Sequence, residues 1–341
     1  MTPRVSVLMP VAEGTFLAPA MDTILAQEFR DIEVVVVDDA SDADTQAALA
    51  GYAAADGRVR VVRREEREGL PVALNAGLAE CRAPLVARAD ADDVYDPARL
   101  GRQVAAFQGR PDLALVSCGW RRVDAAGRQI YVNRPPVGSE VLRFHLLFGN
   151  PLLHPGAMLR AEAVRSVGGY DPAFWTAQDT DLWVRLAARF EVDNLPEPLV
   201  DWRQHGTSIS AARGEAGRAL SLTIRVRQQA SYLGTAPPDD VVRATSATFV
   251  GAEPIPFADL ATGERQMVRF LDLARAREAP AVVAHLLSTM STALLRQSRW
   301  ALRAGHPVEA ARLAARSLRW RRDQGIETAA PLIAATDRAA A

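Results

Sequence analysis

A mixed α/β fold, with a mostly parallel sheet flanked by helices and an all-helical region after it, is predicted by three features of the sequence. Apolar strand-like runs alternate with helix-period segments through the first 120 residues, the pattern of parallel strands joined by helical crossovers. The β-branched run Ile32–Val37 suits a parallel strand covered on both faces. After about residue 214 the chain becomes rich in Ala, Arg and Leu, and strand signals stop.

Each element follows from its local pattern. Val5–Met9 reads as a buried strand stopped by Pro10, and Phe16–Gln27 as a helix. Ile32–Val37 is the next strand, and Ser41 or Asp42 is placed to cap the helix Asp44–Ala55. Val59–Arg63 is a short strand, Pro71–Glu80 a helix, and Leu85–Ala89 a strand. Helix Ala98–Phe107 and strand Leu113–Cys118 follow. Between Asp124 and Asn150 the pattern loosens into a loop region with one small antiparallel strand. Gln178–Phe190 is a helix with Leu182, Leu186 and Phe190 on one stripe, and Leu199–Trp202 is the last strand-like segment. The helical region breaks near Pro237-Pro238, Pro254–Pro256 and Gly305-His306-Pro307. Its basic segment Trp300–Arg322 reads either as a helical hairpin packed on the preceding domain or as a helix lying on an anionic membrane.

Composition bounds the function. The chain has 341 residues, 49% hydrophobic and 24% charged, the range of globular proteins. A net charge of −1 supplies no global field for nucleic acid. The chain contains no Lys, which excludes Schiff-base and P-loop lysine chemistry. Two cysteines, Cys81 and Cys118, make no metal motif and suit free thiols in a reducing compartment. Strand-like sequence from residue 5 leaves no room for a signal peptide, and no run of 18 apolar residues exists to span a membrane. The expected location is the cytoplasm, with peripheral attachment at the inner membrane face left open by the arginine-rich helices.

Four groups of residues carry chemistry. Asp90-Ala91-Asp92-Asp93 closes a buried strand, where open α/β sheets bind ligands. Carboxylates spaced i, i+2 beside a third form a compact oxygen site for a hard divalent cation; the competing reading is a solvated acidic turn. Asp38 and Asp39 end an earlier strand and suit a nucleotide's ribose or base. Gly69 opens, and Asn75 interrupts, an apolar helix; Asn75 alone reads as a satisfied core amide. Asp179 lies in the first turn of its helix, where the dipole favours the ionised carboxylate and a proton can be accepted. His205 is a further candidate metal ligand, and His154 fits either a pocket lining or buried structure.

Together, Ser6–Pro10, Val36-Val-Asp-Asp-Ala-Ser-Asp42, Gly69…Asn75-Ala-Gly77, Asp90–Asp93, Gly168-Gly-Tyr-Asp171, Gln178-Asp-Thr-Asp-Leu-Trp183 and Arg203-Gln-His-Gly-Thr-Ser208 resemble the family 2 glycosyltransferases in motif and order. The resemblance covers about residues 3–210. It implies the GT-A fold and inverting transfer from a nucleotide-diphosphate sugar with Mn²⁺ or Mg²⁺. A UDP-sugar is the first expectation, with GDP and dTDP sugars as alternatives, and the acceptor is a glycan or a lipid-linked acceptor in surface polysaccharide or other glycan assembly. It also implies a catalytic domain at 1–213, divided into a nucleotide-binding half at 1–120 and an acceptor half at 121–213, with a helical extension at 214–341.

The implied roles map onto single positions. Asp92 is the principal metal ligand with His205, and Asp90 serves metal or ribose. Pro10, Val11, Glu13, Asp38, Asp39, Gly69, Asn75, Arg88 and Ala91 line the donor. Asp179 is the base, and His154, Trp175 and Gln178 border the acceptor. Two departures stand out: Ala12 and Glu13 replace the family's aromatic residue and following Asn, and Gln178 replaces the Glu of its Glu-Asp pair. Competing readings are a non-catalytic nucleotide-sugar-binding module, a sugar nucleotidyltransferase and a polyprenyl-phosphate sugar synthase. The second lacks its Gly-rich basic loop here, and the third lacks membrane spans.

Overall fold

The computed structural model describes residues 2–206 and 214–322, which divide into two compact units. The first gathers residues 2–139, 151–206 and 214–217; the second gathers 140–150 and 218–322.

The first unit is built on β1 (Val5–Val11), α1 (Leu17–Leu25), β2 (Ile32–Asp39), α2 (Ala43–Ala55), β3 (Val59–Arg64), α3 (Leu70–Glu80) and β4 (Leu85–Arg88). β5 (Val94–Tyr95), α4 (Arg99–Phe107), β6 (Leu113–Val123), β7 (Gln129–Asn133), β8 (Met158–Arg160), α6 (Ala161–Ser166), α7 (Gln178–Ala187) and β9 (Glu191–Arg203) complete it. A short helix, α5 (Ser139–His145), stands at the division between the units. The strands form one sheet in the order β3-β2-β1-β4-β8-β6-β9-β5, with β7 on β6. β3, β2, β1 and β4 run parallel, as do β6 and β9. β8 enters antiparallel between β4 and β6, and β7 and β5 are antiparallel additions. The sheet is therefore mixed and mostly parallel, and β1, β2 and β4 deliver their C-terminal ends to one edge.

β1 runs through Pro10 instead of stopping at it, with Pro10 opposite Val37 and Val11 opposite Asp38. Leu8 accepts from the Ala89 N–H at 3.0 Å, so Pro10, two residues on, faces the same side. β4 has already ended at Arg88, and the missing proline N–H is not needed there. β6 extends five residues beyond Cys118 because β9 and β7 pair its second half. α3 lies close on the sheet at Gly77, where a Cβ would stand 2.2 Å from Leu8 Cδ1 and 2.7 Å from Val37 Cγ2. Val7, Met9, Val34, Val36, Ala87 and Met158 belong to the buried core along the sheet.

The second unit is helical: α8 (Gly214–Leu233), which spans the division, α9 (Asp239–Val250), α10 (Phe257–Arg277), α11 (Pro280–Arg303) and α12 (Pro307–Arg322). All three breaks expected at Pro and Gly fall between these helices, and a fourth falls before Pro280. Its core joins Phe144, Phe148, Phe249, Phe270, Leu286 and Leu294. No described helix is long and apolar enough to cross a membrane.

Candidate active site

The acidic turn after β4 is held from three directions. Arg88, fully buried, pairs with Asp90 Oδ1 at 2.5 Å. The Tyr95 hydroxyl accepts from the Asp90 N–H at 2.6 Å and donates to the Asp90 carbonyl at 2.9 Å. Asp93 Oδ1 accepts from the Arg203 N–H at 2.8 Å, and Arg203 Nε donates to the Asp92 carbonyl at 2.9 Å. β9 thereby locks the turn to the end of the sheet. Beneath it, buried Arg99 donates to the Arg88 carbonyl at 2.7 Å and lies 4.8 Å from the Tyr95 ring.

Ligand atoms of Asp90, Asp92 and Asp93 lie within 4.8 Å of one another. His205 Nε2 is 2.8 Å from Asp92 Oδ2, and its ring packs 5.0 Å from Phe16. Asp93 Oδ2 is buried and accepts no hydrogen bond. Burial, then repulsion from Asp92 and Asp90, pushes the Asp93 carboxyl well above the usual range. Asp92 is also raised, by burial and by Asp90, with His205 pulling the other way. The turn thus gathers negative charge that its neighbours only partly offset.

The end of β2 lies at the same edge. Asp38 is fully buried and accepts the Ser41 N–H at 2.9 Å, with Arg63 Nε 3.4 Å from its other oxygen. Asp39 sits beside Arg64, Nε to Oδ1 3.3 Å. Burial raises its carboxyl, while Arg64 and Arg67 act against that shift. Between the pair and the cap lies Ala40 at φ 53°, an uncommon conformation for a residue with a side chain. It turns the chain so that Asp42 caps α2 through Thr45 N at 2.8 Å. Arg67 joins β1 to β2, donating to the Ala12 carbonyl at 2.7 Å and towards Asp39 O at 3.4 Å. Pro10 and buried Val11 end β1, Glu13 is exposed beyond them, and Ala91 is half-buried in the acidic turn. Gly69 precedes α3 at φ 93°.

Asn75 is a committed amide. It donates to the Tyr170 carbonyl at 2.7 Å and accepts from the Tyr170 N–H at 2.9 Å. Gly169 is what lets it approach, because a Cβ there would stand 2.7 Å from Asn75 Oδ1. The Tyr170 hydroxyl meets His154 Nε2 at 2.9 Å, and the His154 ring packs 5.8 Å from Trp183. Burial raises the Tyr170 phenol; Arg88 opposes that shift, and Asp179 and Asp90 add to it. Tyr170 therefore lies in the field of both the acidic turn and Asp179. Asp179 is in the first turn of α7, almost fully buried, and its Oδ1 accepts the Thr180 N–H at 2.8 Å. Gln178 Oε1 and Thr176 Oγ1 beside it are buried without partners, and Trp175 is 49% exposed.

Tyr95, Tyr170, Arg203 and Phe16 hold the site yet carry no role in the sequence reading. Tyr170 and Arg203 fall inside recognised motifs, so their positions were visible and their contacts were not. Tyr95 has only a weak signal: a buried tyrosine hydroxyl needs a partner. Thr207 and Ser208 of the last motif lie outside the described residues.

The model of the family described as glycosyl transferase family 2 matches residues 6–168. The chain is 30% identical over 209 residues to the O-antigen biosynthesis glycosyltransferase WbnJ of Escherichia coli, covering 60% of this chain and 81% of that one. The chain belongs to glycosyl transferase family 2.

A second relative, the amylovoran biosynthesis glycosyltransferase AmsE of Erwinia amylovora, is 28% identical over 199 residues, covering 58% of this chain and 74% of its own. Among solved structures, S. aureus TarS 1-349 in complex with UDP-GlcNAc superposes with a TM-score of 0.58 at 15% identity, covering 94% of this chain and 92% of that one. The mannosyltransferase PcManGT from Pyrobaculum calidifontis, in complex with GDP-Man and Mn²⁺, gives 0.53 at 23% identity, covering 92% and 88%. At these identities the likeness is one of fold. The architecture is GT-A, and this family 2 chain is a glycosyltransferase.

Proposed function

We propose that this enzyme transfers a sugar from a nucleoside-diphosphate donor to an acceptor hydroxyl, with inversion at the anomeric carbon, in a metal-dependent step of surface polysaccharide assembly. The observation that carries the reading is the cluster Asp90, Asp92 and Asp93, with ligand atoms within 4.8 Å of one another at the C-terminal edge of the parallel strands. The E. coli and Erwinia relatives, named for O-antigen and amylovoran biosynthesis, support the polysaccharide role. UDP-sugars lead the donor candidates, followed by GDP and dTDP sugars; the acceptor is a glycan or lipid-linked glycan. The reaction is assigned to residues 1–213.

The residues fit a divalent ion. Carboxylate oxygens suit Mn²⁺ or Mg²⁺, and Asp93 Oδ2 is a buried oxygen with no other partner. Asp92 and His205 would hold the ion, with Asp90 steadied by Arg88 and Tyr95. Bound there, the metal supplies Lewis-acid stabilisation of the charge on the leaving diphosphate.

The other roles belong to the chain. Asp39, with Asp38 bracing the loop behind it, faces the nucleoside, and the main chain from Pro10 to Glu13 borders it. Asn75 serves the donor side by fixing Tyr170. Asp179 accepts the proton of the acceptor hydroxyl as its oxygen bonds to the anomeric carbon, on the face opposite the departing diphosphate. One C–O bond forms as one breaks, no covalent enzyme intermediate is required, and inversion follows. Trp175 offers an exposed ring to the acceptor, and His154 and Gln178 back that region.

The test is a panel of nucleotide sugars scored by thermal shift with and without Mn²⁺, since a ligand of the native state raises its stability by mass action. The stabilising donor is then used in a transfer assay with product configuration read by NMR. Metal-dependent stabilisation and an inverted product are expected. Retention of configuration, or stabilisation identical with and without metal, contradicts the reading.

A further inference from the structure

α12 has two apolar seams. The inner one, Ala310, Leu313, Ser317 and Trp320, is buried. Polar contacts fix it: Ser317 Oγ donates to the Ser291 carbonyl at 2.8 Å, Ser298 Oγ to the Ala310 carbonyl at 2.7 Å, and Trp320 Nε1 to Glu264 at 3.0 Å. The outer seam, Val308, Ala311, Ala315 and Leu318, repeats the same three-four-three spacing and is exposed throughout. Val308 is 57% and Leu318 54% exposed, and at the turn from α11 Leu302 is 62% exposed. Residues beside helical neighbours three and four apart share a face, so Arg312, Arg319 and Arg322, all exposed, flank this seam.

The charge around it is one-sided. Residues 296–322 carry eight arginines and a single acidic residue, Glu309, in a chain whose net charge is −1. Glu309 is within 4.0 Å of Arg312. Arg316, half-buried, pairs with Glu264 of α10, so the exposed positive charge of this helix lies with Arg312, Arg319, Arg321 and Arg322.

We propose that the outer face of α12, with Leu302 at its turn, docks on an anionic lipid surface. Shallow apolar side chains interleaved with arginines are the composition of a helix lying in a membrane interface. Arginine stems reach along apolar surface while the guanidinium stays at headgroup level. A second copy docking through the same face would oppose two arginine-rich surfaces, and like charges disfavour it. The three-four-three spacing also fits a partner helix, but two of its four positions are alanine, which leaves little to bury in a protein groove. The proposal does not depend on the identity of the transferred sugar.

The experiment is flotation of the full chain with vesicles of phosphatidylcholine alone and of phosphatidylcholine with phosphatidylglycerol. Arg312→Glu/Arg319→Glu/Arg322→Glu and Leu302→Ser/Val308→Ser/Leu318→Ser are compared with it. Both sets lie on the outer face, and circular dichroism checks that each retains its helices. Binding to the anionic vesicles only, reduced by salt, is expected. Each arginine near an anionic surface is worth about fivefold in partition, so reversing three weakens binding by about a hundredfold or more, and the serine set weakens it by about tenfold or more. No binding to anionic vesicles overturns the proposal. So does binding that survives the serine set and is matched by polyglutamate or an oligonucleotide, which would mark a general polyanion surface. Self-association in sedimentation that the serine set abolishes, without vesicle binding, would assign the face to a second copy instead.

Discussion

Asp179 and the acidic turn are held by different means, and substitutions should separate them. Asp179→Asn removes the proton acceptor without touching Asp90, Asp92 or Asp93; transfer should fall by about 10²–10⁴-fold on general-base magnitudes, while donor binding by calorimetry stays at the wild-type value. Tyr95→Phe removes the hydroxyl that both accepts from and donates to the Asp90 main chain. Leaving that part-buried N–H unpaired should cost about 1 kcal/mol in chemical denaturation, with weaker metal-dependent donor binding. Wild-type stability and binding in this variant would show that the clamp is unused. The carboxylates stood out in sequence because Asp90–Asp93 closes an apolar strand and the order of the surrounding motifs weighed against a solvated acidic turn. The residues that aim them did not, since Asp93 meeting Arg203 110 positions away, or Asn75 meeting Tyr170 95 positions away, depends on tertiary proximity that no local pattern encodes.

At the level of elements, close packing of α3 on the sheet is a specific claim. Gly77→Ala places a methyl 2.2 Å from Leu8 Cδ1, and overpacking there should destabilise the protein by about 1–3 kcal/mol, read as a lower denaturation midpoint. An unchanged midpoint would mean that Leu8 or the helix yields freely. The parallel strands β1 to β4 and their helices were readable from alternation of pattern, and the Pro and Gly breaks located most of the helical boundaries. β8, only Met158–Arg160, was not readable, being too short for a period to show. Pro10 was misread for a different reason: proline ends a strand only where its missing N–H would face a neighbour, and here the neighbour has ended first.

In the whole molecule, the helical unit carries its own pH dependence. His145 Nδ1 and His285 Nε2 are 3.0 Å apart in an aromatic surround that includes Phe249. Burial, then His285, pulls the His145 imidazole down to about 3, and burial pulls His285 down to about 4, from 6.5. Because the folded pKa values lie below the unfolded value, the unfolded chain binds more protons between them. The pair's contribution is therefore complete above pH 6.5 and lost as pH falls towards 4. Denaturation midpoints should drop between pH 7 and pH 4.5, and His145→Leu/His285→Leu should flatten that slope; an equal slope in the variant would dissociate the pair from it. This pairing joins residues 140 positions apart and was invisible in sequence, whereas the onset of helical sequence after about residue 214 showed in composition and the grouping of residues 140–150 with the helical unit did not. The central claim, a metal-borne diphosphate site at Asp90–Asp93, is tested most directly by calorimetric titration of the stabilising nucleotide sugar into wild type and Asp92→Ala, in Mn²⁺ and in EDTA. Wild type in Mn²⁺ should bind, with EDTA and Asp92→Ala each weakening binding by about a hundredfold or more; equal affinity in all four titrations would contradict the account.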